Sequence, residues 1–290
     1  MSAISTYRGD ITLPVDVSKE IIAKMQDGSA VMKLAKKIDL PGRGAAINVI
    51  TSDPEATWVG ETEKKAVSNP GLSTKVMRGY TLAVIVPFSK QFRRDVSALY
   101  NEIVNRLPKA LGQKIDDTVF HGAAPGSDFD TFASVTAQSL ASDVYAGLVA
   151  ADTDIALHGG VCNGYVLSAQ GRGILLGATD QDKRPLFINN VAEGAVPVVL
   201  GARTELSKKA FKSGSPSVVG YAGDWTQALY GVVEDIQISI SDQASLDDGD
   251  GHTINLFQQN MFAVRAEVEF GFRADTSCFN ALTATGVPSI

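Results

Sequence analysis

The stretch from Thr51 to Lys75 constrains this chain more than any other. It carries Asp53, Glu55, Glu61, Glu63, Lys64, Lys65 and Lys75, with Pro54 and Pro70, and almost no core-forming residue except Trp58 and Val59. On one side lies a short strand, Ala46 to Ile50. On the other, Val76 to Phe88 resumes strand character, with Leu82, Val84, Val86 and Phe88 alternating onto one face. Two strands joined by about twenty polar residues predict a long β-hairpin reaching away from its own domain, because an unstructured connection of that length is rare inside a compact one. Trp58 has no core to enter within such a loop. Tryptophan is enriched where subunits meet, so it reads as a contact anchor rather than a satellite packing residue.

The remaining chain alternates helix and strand signals. Met1 to Leu13 is polar and aperiodic, an extended arm. Pro14 opens a short helical stretch in which Val17, Ile21, Ile22 and Met25 share a face. Gly28 interrupts it, Ser29 is placed to cap, and Val31 to Lys37 reads as a second helical piece. The longest helix starts at an Asp95 or Ser97 cap. Val96, Leu99, Ile103, Leu107, Leu111, Ile115 and Val119 form its stripe, and it ends near His121, before Gly122 and Pro125. Pro108 inside it predicts a kink. Ala123 to Phe132 is a loop, and Ser139 to Leu157 is helical with few charges. Short apolar runs then alternate with turns, at Tyr165 to Ser168, Gly173 to Leu176 and Val196 to Leu200. Val218 to Tyr221 is a strand, Asp224 to Tyr230 a turn or short helix, Val233 to Ile240 a strand, and Ser241 to His252 a polar loop. In the last strong element, Asn260 to Arg273, the residues Val264, Ala266, Val268, Phe270 and Phe272 face one way. Arg265, Glu267, Glu269 and Arg273 face water. The class is α+β without internal repeats.

Composition narrows the function. With 290 residues, 44% hydrophobic and 20% charged, the chain can form two compact lobes. A net charge of −6 without a basic stripe argues against a dedicated nucleic-acid binder and predicts weak, sequence-independent DNA contact. Cys162 and Cys278 stand in no ligand spacing and read as reduced thiols. The start lacks a signal-peptide pattern, and the longest apolar run, Leu82 to Phe88, is too short to cross a bilayer, so the product is expected to stay where it is made. No Gly-Lys pair exists for a P-loop, and Gly171, Gly173 and Gly177 miss the dinucleotide fingerprint. Ser168 and Ser215 lack the glycines of a nucleophile elbow. His121, His158 and His252 stand singly and read as solvent-exposed loop residues. Asp247, Asp248 and Asp250 lack the spacing of a calcium loop and fit turn chemistry better. No catalytic, metal or cofactor site is expected.

An ordered set of segments carries a resemblance. Ala56 to Glu61 (ATWVGE) and Ser68 come first. Next is the strand Leu82 to Phe88 running into Ser89 to Asp95 (SKQFRRD). Then come Gly223 to Gly231 (GDWTQALYG), Val232 to Ile240, and Leu256 to Glu267. Together they resemble the phage capsid family of the Hong Kong 97 type over about residues 10–285. The resemblance implies an α+β capsid fold. Its parts would be an N-terminal arm and first helix (1–30), a peripheral domain (31–52 and 76–138, the latter with a spine helix), an extended loop (53–75), an axial domain (139–255), and a peripheral closing strand with the C-terminus (256–290). It implies a shell subunit of a phage head, assembled in the bacterial cytoplasm. Its partners would be copies of itself in pentamers and hexamers, a scaffolding protein or portal, and packaged DNA that it encloses but grips weakly. No membrane is involved. No charge-rich helical segment precedes the arm, so scaffolding is expected to be removed or supplied separately. Trp58, Glu61, Lys64 and Lys65 would lie at subunit contacts.

Some members of that family weld subunits through a loop lysine and an asparagine, with a glutamate accepting a proton. Lys64 or Lys65, Asn260 and Glu267 match that set, although strict alternation puts Asn260 and Glu267 on opposite faces. The competing readings are an encapsulin-like compartment subunit with protein cargo, a hydrolase on an α+β fold, and a tail or connector protein forming rings or tubes.

Overall fold

The computed structural model describes residues 23–52, 58–59, 64–65, 67, 71–90, 96–180, 182–187, 198–233, 236–247 and 250–288. After a helical turn at 23–28 come α1 (Ala30–Leu34), β1 (Lys36–Asp39), β2 (Ala45–Ser52), β3 (Gly71–Met77), β4 (Tyr80–Ser89) and the long α2 (Val96–His121). Then follow β5 (Thr136–Ser139), α3 (Val144–Leu157), β6 (Gly164–Leu167), α4 (Ala169–Gly177), β7 (Val198–Val199), β8 (Ala202–Leu206) and β9 (Ser217–Gly223). The chain closes with β10 (Ala228–Val232), β11 (Gln237–Ser241), β12 (Ser245–Asp247), β13 (Thr253–Asn255), β14 (Met261–Ala274) and β15 (Phe279–Ala284).

Two larger sheets organise the molecule. In the first, β14 is the hub: it pairs antiparallel with β4 along ten residues, Met261 opposite Ser89 through Phe270 opposite Tyr80. It also pairs with β11 and β10, and β1 adds in parallel to β10. The second sheet has the order β5-β15-β9-β6-β8-β7. β2 and β3 form a separate two-stranded ribbon, as do β12 and β13. Strand β10 and strand β11, within residues 139–255, join the sheet of β4 and β14. β15, within 256–290, joins the other, so sheet membership does not follow those divisions of the chain.

Alternation explains β14. Val264, Ala266, Val268, Phe270 and Phe272 are buried, and the expected stripe of α2, through Leu107, Leu111, Ile115 and Val119, is buried in the same core. That core reaches the second sheet through an aromatic cluster. Phe132 stacks on Phe279 at 4.3 Å, Trp225 meets Phe279 edge-on at 5.2 Å, and Phe120 stacks on Tyr221 at 4.9 Å. The Tyr221 hydroxyl donates to the Phe120 carbonyl at 2.7 Å. A second core on the same sheet holds Leu148, Ala151 and Ile155 of α3, Leu175 of α4, and Tyr165, Leu167 and Leu282.

Several sequence expectations need correction. The helical piece expected over Val31 to Lys37 stops at Leu34, and Lys36–Asp39 becomes strand β1, because β10 offers it a ladder. The strand expected from Val76 to Phe88 is two: β3 begins at Gly71, inside the expected loop, and the chain breaks at Arg78 and Gly79 before β4. Ser139 to Leu157 splits into β5 and α3, with Asp143 capping α3 through Ala146 N–H at 3.1 Å. The run Gly173 to Leu176 lies in helix α4, capped by Ser168. The strand expected from Val233 to Ile240 begins only at Gln237, after β10 has ended at Val232. The polar loop at 241–252 carries β12, paired with β13. Pro108 sits inside α2, and the proposed caps of that helix lie outside the described side chains.

Leu40 shows why two glycines stand opposite each other in β10 and β14. A Cβ on Gly231 would fall 2.6 Å from the Leu40 Cβ, and one on Gly271 would fall 2.8 Å from the Leu40 Cδ2. Only bare backbone lets Leu40 reach the sheet there.

Candidate assembly surface

The β2–β3 ribbon pairs Ala45 with Met77 through Ser52 with Gly71, and among the described residues no third strand joins its ladder. Beyond it, Trp58 is fully exposed and Val67 nearly so, while Lys64 and Lys65 stand in solvent. Glu61 lies outside the described residues. An isolated two-stranded ribbon is marginal in water, so its direction must be set at its base.

Arg273 sets it. Its Nε donates to the Val76 carbonyl at 2.8 Å, Nη1 to Asp130 at 2.8 Å, and Nη2 to Asp128 at 3.3 Å. Asp130 in turn accepts from the Ala274 N–H at 3.1 Å, and Lys75 Nζ donates to the Ala274 carbonyl at 3.3 Å. Arg273 was expected among the water-facing charges of the strand; its side chain is only 12% exposed, because the ribbon base and the Asp128–Asp130 loop close over it. A planar guanidinium can join three acceptors in a way one ammonium cannot. Pattern reading missed this residue, since alternation reports the face of a side chain and not what later covers that face.

A second node was also missed. Asp116, on α2, is buried and accepts four hydrogen bonds: Ser29 Oγ at 2.6 Å, Ser207 Oγ at 2.7 Å, and the N–H groups of Ala30 at 3.0 Å and Val31 at 3.2 Å. Burial pushes its pKa above the ordinary carboxylate value, and the four donors pull it partly back. The carboxylate closes the start of α1 and ties it to the long helix and to the turn after β8.

The third node is Asp224, which accepts from Asn163 Nδ2 at 2.7 Å, Val161 N–H at 3.1 Å, Thr226 N–H at 3.0 Å and Thr226 Oγ1 at 2.6 Å. Burial acts to raise its pKa, but the bonds from Thr226, Val161 and Asn163 outweigh it and leave the value lowered. A lowered folded value means the stability it supplies is present above the ordinary carboxylate pKa of 3.8 and lost as pH falls through the folded value. Asp224→Asn is expected to cost about 1–3 kcal/mol near neutral pH, with the penalty shrinking below about pH 4. Denaturant melts of both proteins across that range check it, and a pH-independent difference would contradict the assignment.

The remaining candidates are scattered. Glu267 pairs with Arg265 at 3.2 Å on its own strand, and Arg265 Nε also reaches Ser239 Oγ at 3.2 Å. Asn260 lies before β14 begins, at φ 50°, in a turn whose carbonyl accepts from Lys90 N–H at 2.9 Å. The strand parity applied to Asn260 and Glu267 therefore does not hold, because Asn260 is not in the strand. His121 is not a solvent-exposed loop residue: it ends α2, half-buried, with Nδ1 3.2 Å from the Tyr221 hydroxyl. Burial, against the opposing field of Asp117, holds its pKa below the usual value. Cys162 and Cys278 are free thiols, and burial raises both. Among the described residues no cluster of His, Cys, Asp and Glu suits a metal, and no helix is long and apolar enough to cross a membrane.

Comparison with known proteins agrees with this arrangement. The model of the phage capsid family matches residues 9–277. The "Probable major capsid protein gp17" of Mycobacterium phage D29 is 27% identical over 288 residues, covering 93% of this chain and 89% of that protein. The "Major capsid protein" of Staphylococcus phage 80alpha is 26% identical, covering 94% and 85%. Among solved structures, a chain from Mycobacterium phage Bobi superposes with a TM-score of 0.71 at 20% identity, covering 98% of this chain and 96% of that one. One from Gordonia phage Cozz gives 0.71 at 20%, covering 89% and 87%. The fold is thus that of the Hong Kong 97-type capsids. This chain belongs to the phage capsid family, as a structural subunit of a phage head shell and not an enzyme.

Proposed function

We propose that this protein is the major capsid protein of a tailed phage, closing many copies of itself into the shell around double-stranded DNA. One observation carries the reading: the β2–β3 ribbon leads to a fully exposed Trp58 that no described residue covers. Burying that surface requires a neighbour. The sheet of β4 and β14 with α2 serves as the peripheral lobe, and the six-stranded sheet with α3 and α4 as the axial lobe. Trp58, Glu61, Lys64 and Lys65 lie over an adjacent subunit. Assembly takes place in the bacterial cytoplasm, aided by a scaffolding protein and nucleated at a portal.

Purified protein in native-like salt should give particles by light scattering and negative-stain microscopy, with contacts burying more than about 1,000 Å² each. Only monomers or dimers, from material recovered from intact particles, would overturn the proposal. The isolated subunit, at net −6, should bind duplex DNA only weakly; submicromolar binding at physiological salt would contradict it.

The covalent weld is the finer part of this reading. The amine of Lys64 or Lys65 attacks the side-chain amide carbon of Asn260 on another copy; Glu267 takes the proton the amine loses and passes it to the amide nitrogen, so that the new C–N bond forms as the old one breaks and ammonia leaves. The two lysines are exposed in the lone chain, so the apolar surroundings that would keep an amine neutral must come from the neighbour. Boiled in denaturing detergent, welded particles should run as a ladder that Glu267→Ala abolishes. A single band near 30.6 kDa would exclude the weld.

A further inference from the structure

We propose that the face where α1, the middle of α2 and the turn after β8 meet is the one the shell turns toward its packaged duplex DNA, binding phosphates without reading sequence. This rests on the shell reading above and names the surface that touches the contents.

No single stretch of the chain is a basic stripe; the fold assembles one. Asp116 of α2 accepts from Ser29, Ala30 and Val31 at the start of α1 and from Ser207 after β8. Gly28 lies so close to Lys109 that a Cβ there would fall 3.3 Å from the Lys109 Cα. These contacts join residues 23–39, 106–121 and 203–212. Eleven of the chain's 26 Lys and Arg fall in the three stretches, and only five of its 32 acids. A chain of net −6 thus carries one face of the opposite sign.

The acids present do not cancel it. Asp116 is buried beneath its four donors. Asp117 sits between Lys114 at 3.2 Å and Lys209 at 3.5 Å, and Glu205 between Lys33 at 3.6 Å and Arg203. Each of those carboxylates therefore offsets one of two cations. Asp27 and Asp39 are the other acids in the three stretches. Lys36, Lys37, Lys109, Lys208 and Lys212 are exposed, and among the described residues no carboxylate pairs with them. Lys212 and Lys209 add to the burial that lowers the His121 pKa, which places Lys212 at the same end of α2.

The side chains choose the polyanion. Nine of the eleven cations are lysines, point charges that meet a phosphate without the planar fork by which arginine reads a base. Phe120 and Phe211 are the Phe, Tyr or Trp residues of these stretches, and neither is exposed, so unpaired bases find no ring to stack on. Duplex DNA needs neither feature. From Lys109 to Asp117 α2 rises about 12 Å, a length over which a duplex carries about seven phosphate charges. One side of the duplex presents about half of them, giving about four contacts per copy. Many copies lining one wall add up such weak contacts.

Fluorescence anisotropy of the full-length subunit with a short labelled duplex tests the face. Affinity should fall roughly a hundredfold between about 50 and 200 mM salt, with a Kd above about 1 µM at physiological salt and no dependence on sequence. Lys109→Glu combined with Lys208→Glu should weaken binding at least about tenfold at low salt. The melting temperature should hold, because both side chains are exposed. Lys183→Glu combined with Arg184→Glu, exposed after α4, changes the net charge equally and should leave binding nearly unchanged. In DNA-filled particles, formaldehyde should link DNA to peptides of residues 106–121 and 203–212 and not to the peptide holding Lys183. Wild-type binding by the first variant, an equal loss in the second, or links confined to other peptides would overturn the DNA face while the shell reading stands. Polyglutamate bound as tightly as the duplex would overturn it too, assigning the face to an acidic protein segment. A wild type that never forms particles sinks both.

Discussion

Asp116→Ala is expected to destabilise the free subunit by about 4 kcal/mol or more. The carboxylate receives two backbone N–H groups and two serine hydroxyls in a buried site. Alanine strands all four, and each buried unsatisfied donor costs about 1–3 kcal/mol, offset where a hydroxyl can turn to another acceptor or a water can enter the space. The substitution also unties α1 from the long helix and from the turn at Lys208–Ala210, three segments that meet at no other carboxylate among the described residues. Asp116→Asn should lose less, because one carbonyl oxygen still accepts while the new NH2 faces existing donors. Denaturant melts give the free energies, and hydrogen exchange should show residues 29–34 losing protection first. A loss below about 1 kcal/mol for the alanine variant would mean that water already serves this site.

The second large effect concerns assembly, not folding. Replacing residues 53–70 by a short turn should leave the subunit's melting temperature nearly unchanged. The β2–β3 ladder closes on itself, and its anchors, Arg273 and Lys75, lie outside the deletion. Particle formation should fail, because every copy loses the same contact at once. Trp58→Ala is the graded version: a buried tryptophan anchor is worth about 2 kcal/mol or more, so each contact should weaken by roughly thirtyfold. Protease should cut residues 53–75 readily in free subunits and slowly in particles. Particles of normal yield from the shortened chain would remove the hairpin from the assembly surface.

The hairpin and the hub strand were legible because their signals are local. A polar stretch without core residues has to leave the core wherever it occurs, and the alternation of Val264 to Phe272 allows one buried face. The stripe of α2 was legible for the same reason, through Leu107 to Val119. The ordered segments around Trp58 and Trp225 sufficed to place the chain in its family. Local signals blurred where two elements follow closely: Lys36–Asp39 continued a helical pattern until β10 supplied a ladder, and Arg78 and Gly79 divide a run that alternates on both sides.

By itself, then, the sequence determined the α+β class, the projecting hairpin, the long helix and the family, since periodicity and polarity act over neighbouring residues. The tertiary structure alone decided that Asp116 faces Ser29 and Ser207, and that Arg273 grips Val76 and Asp130. Those partners are separated by 87, 91, 197 and 143 positions in the chain. A hydrogen bond or a charge pair acts over a few ångströms, and no spacing in the sequence records which distant residues the fold brings that close.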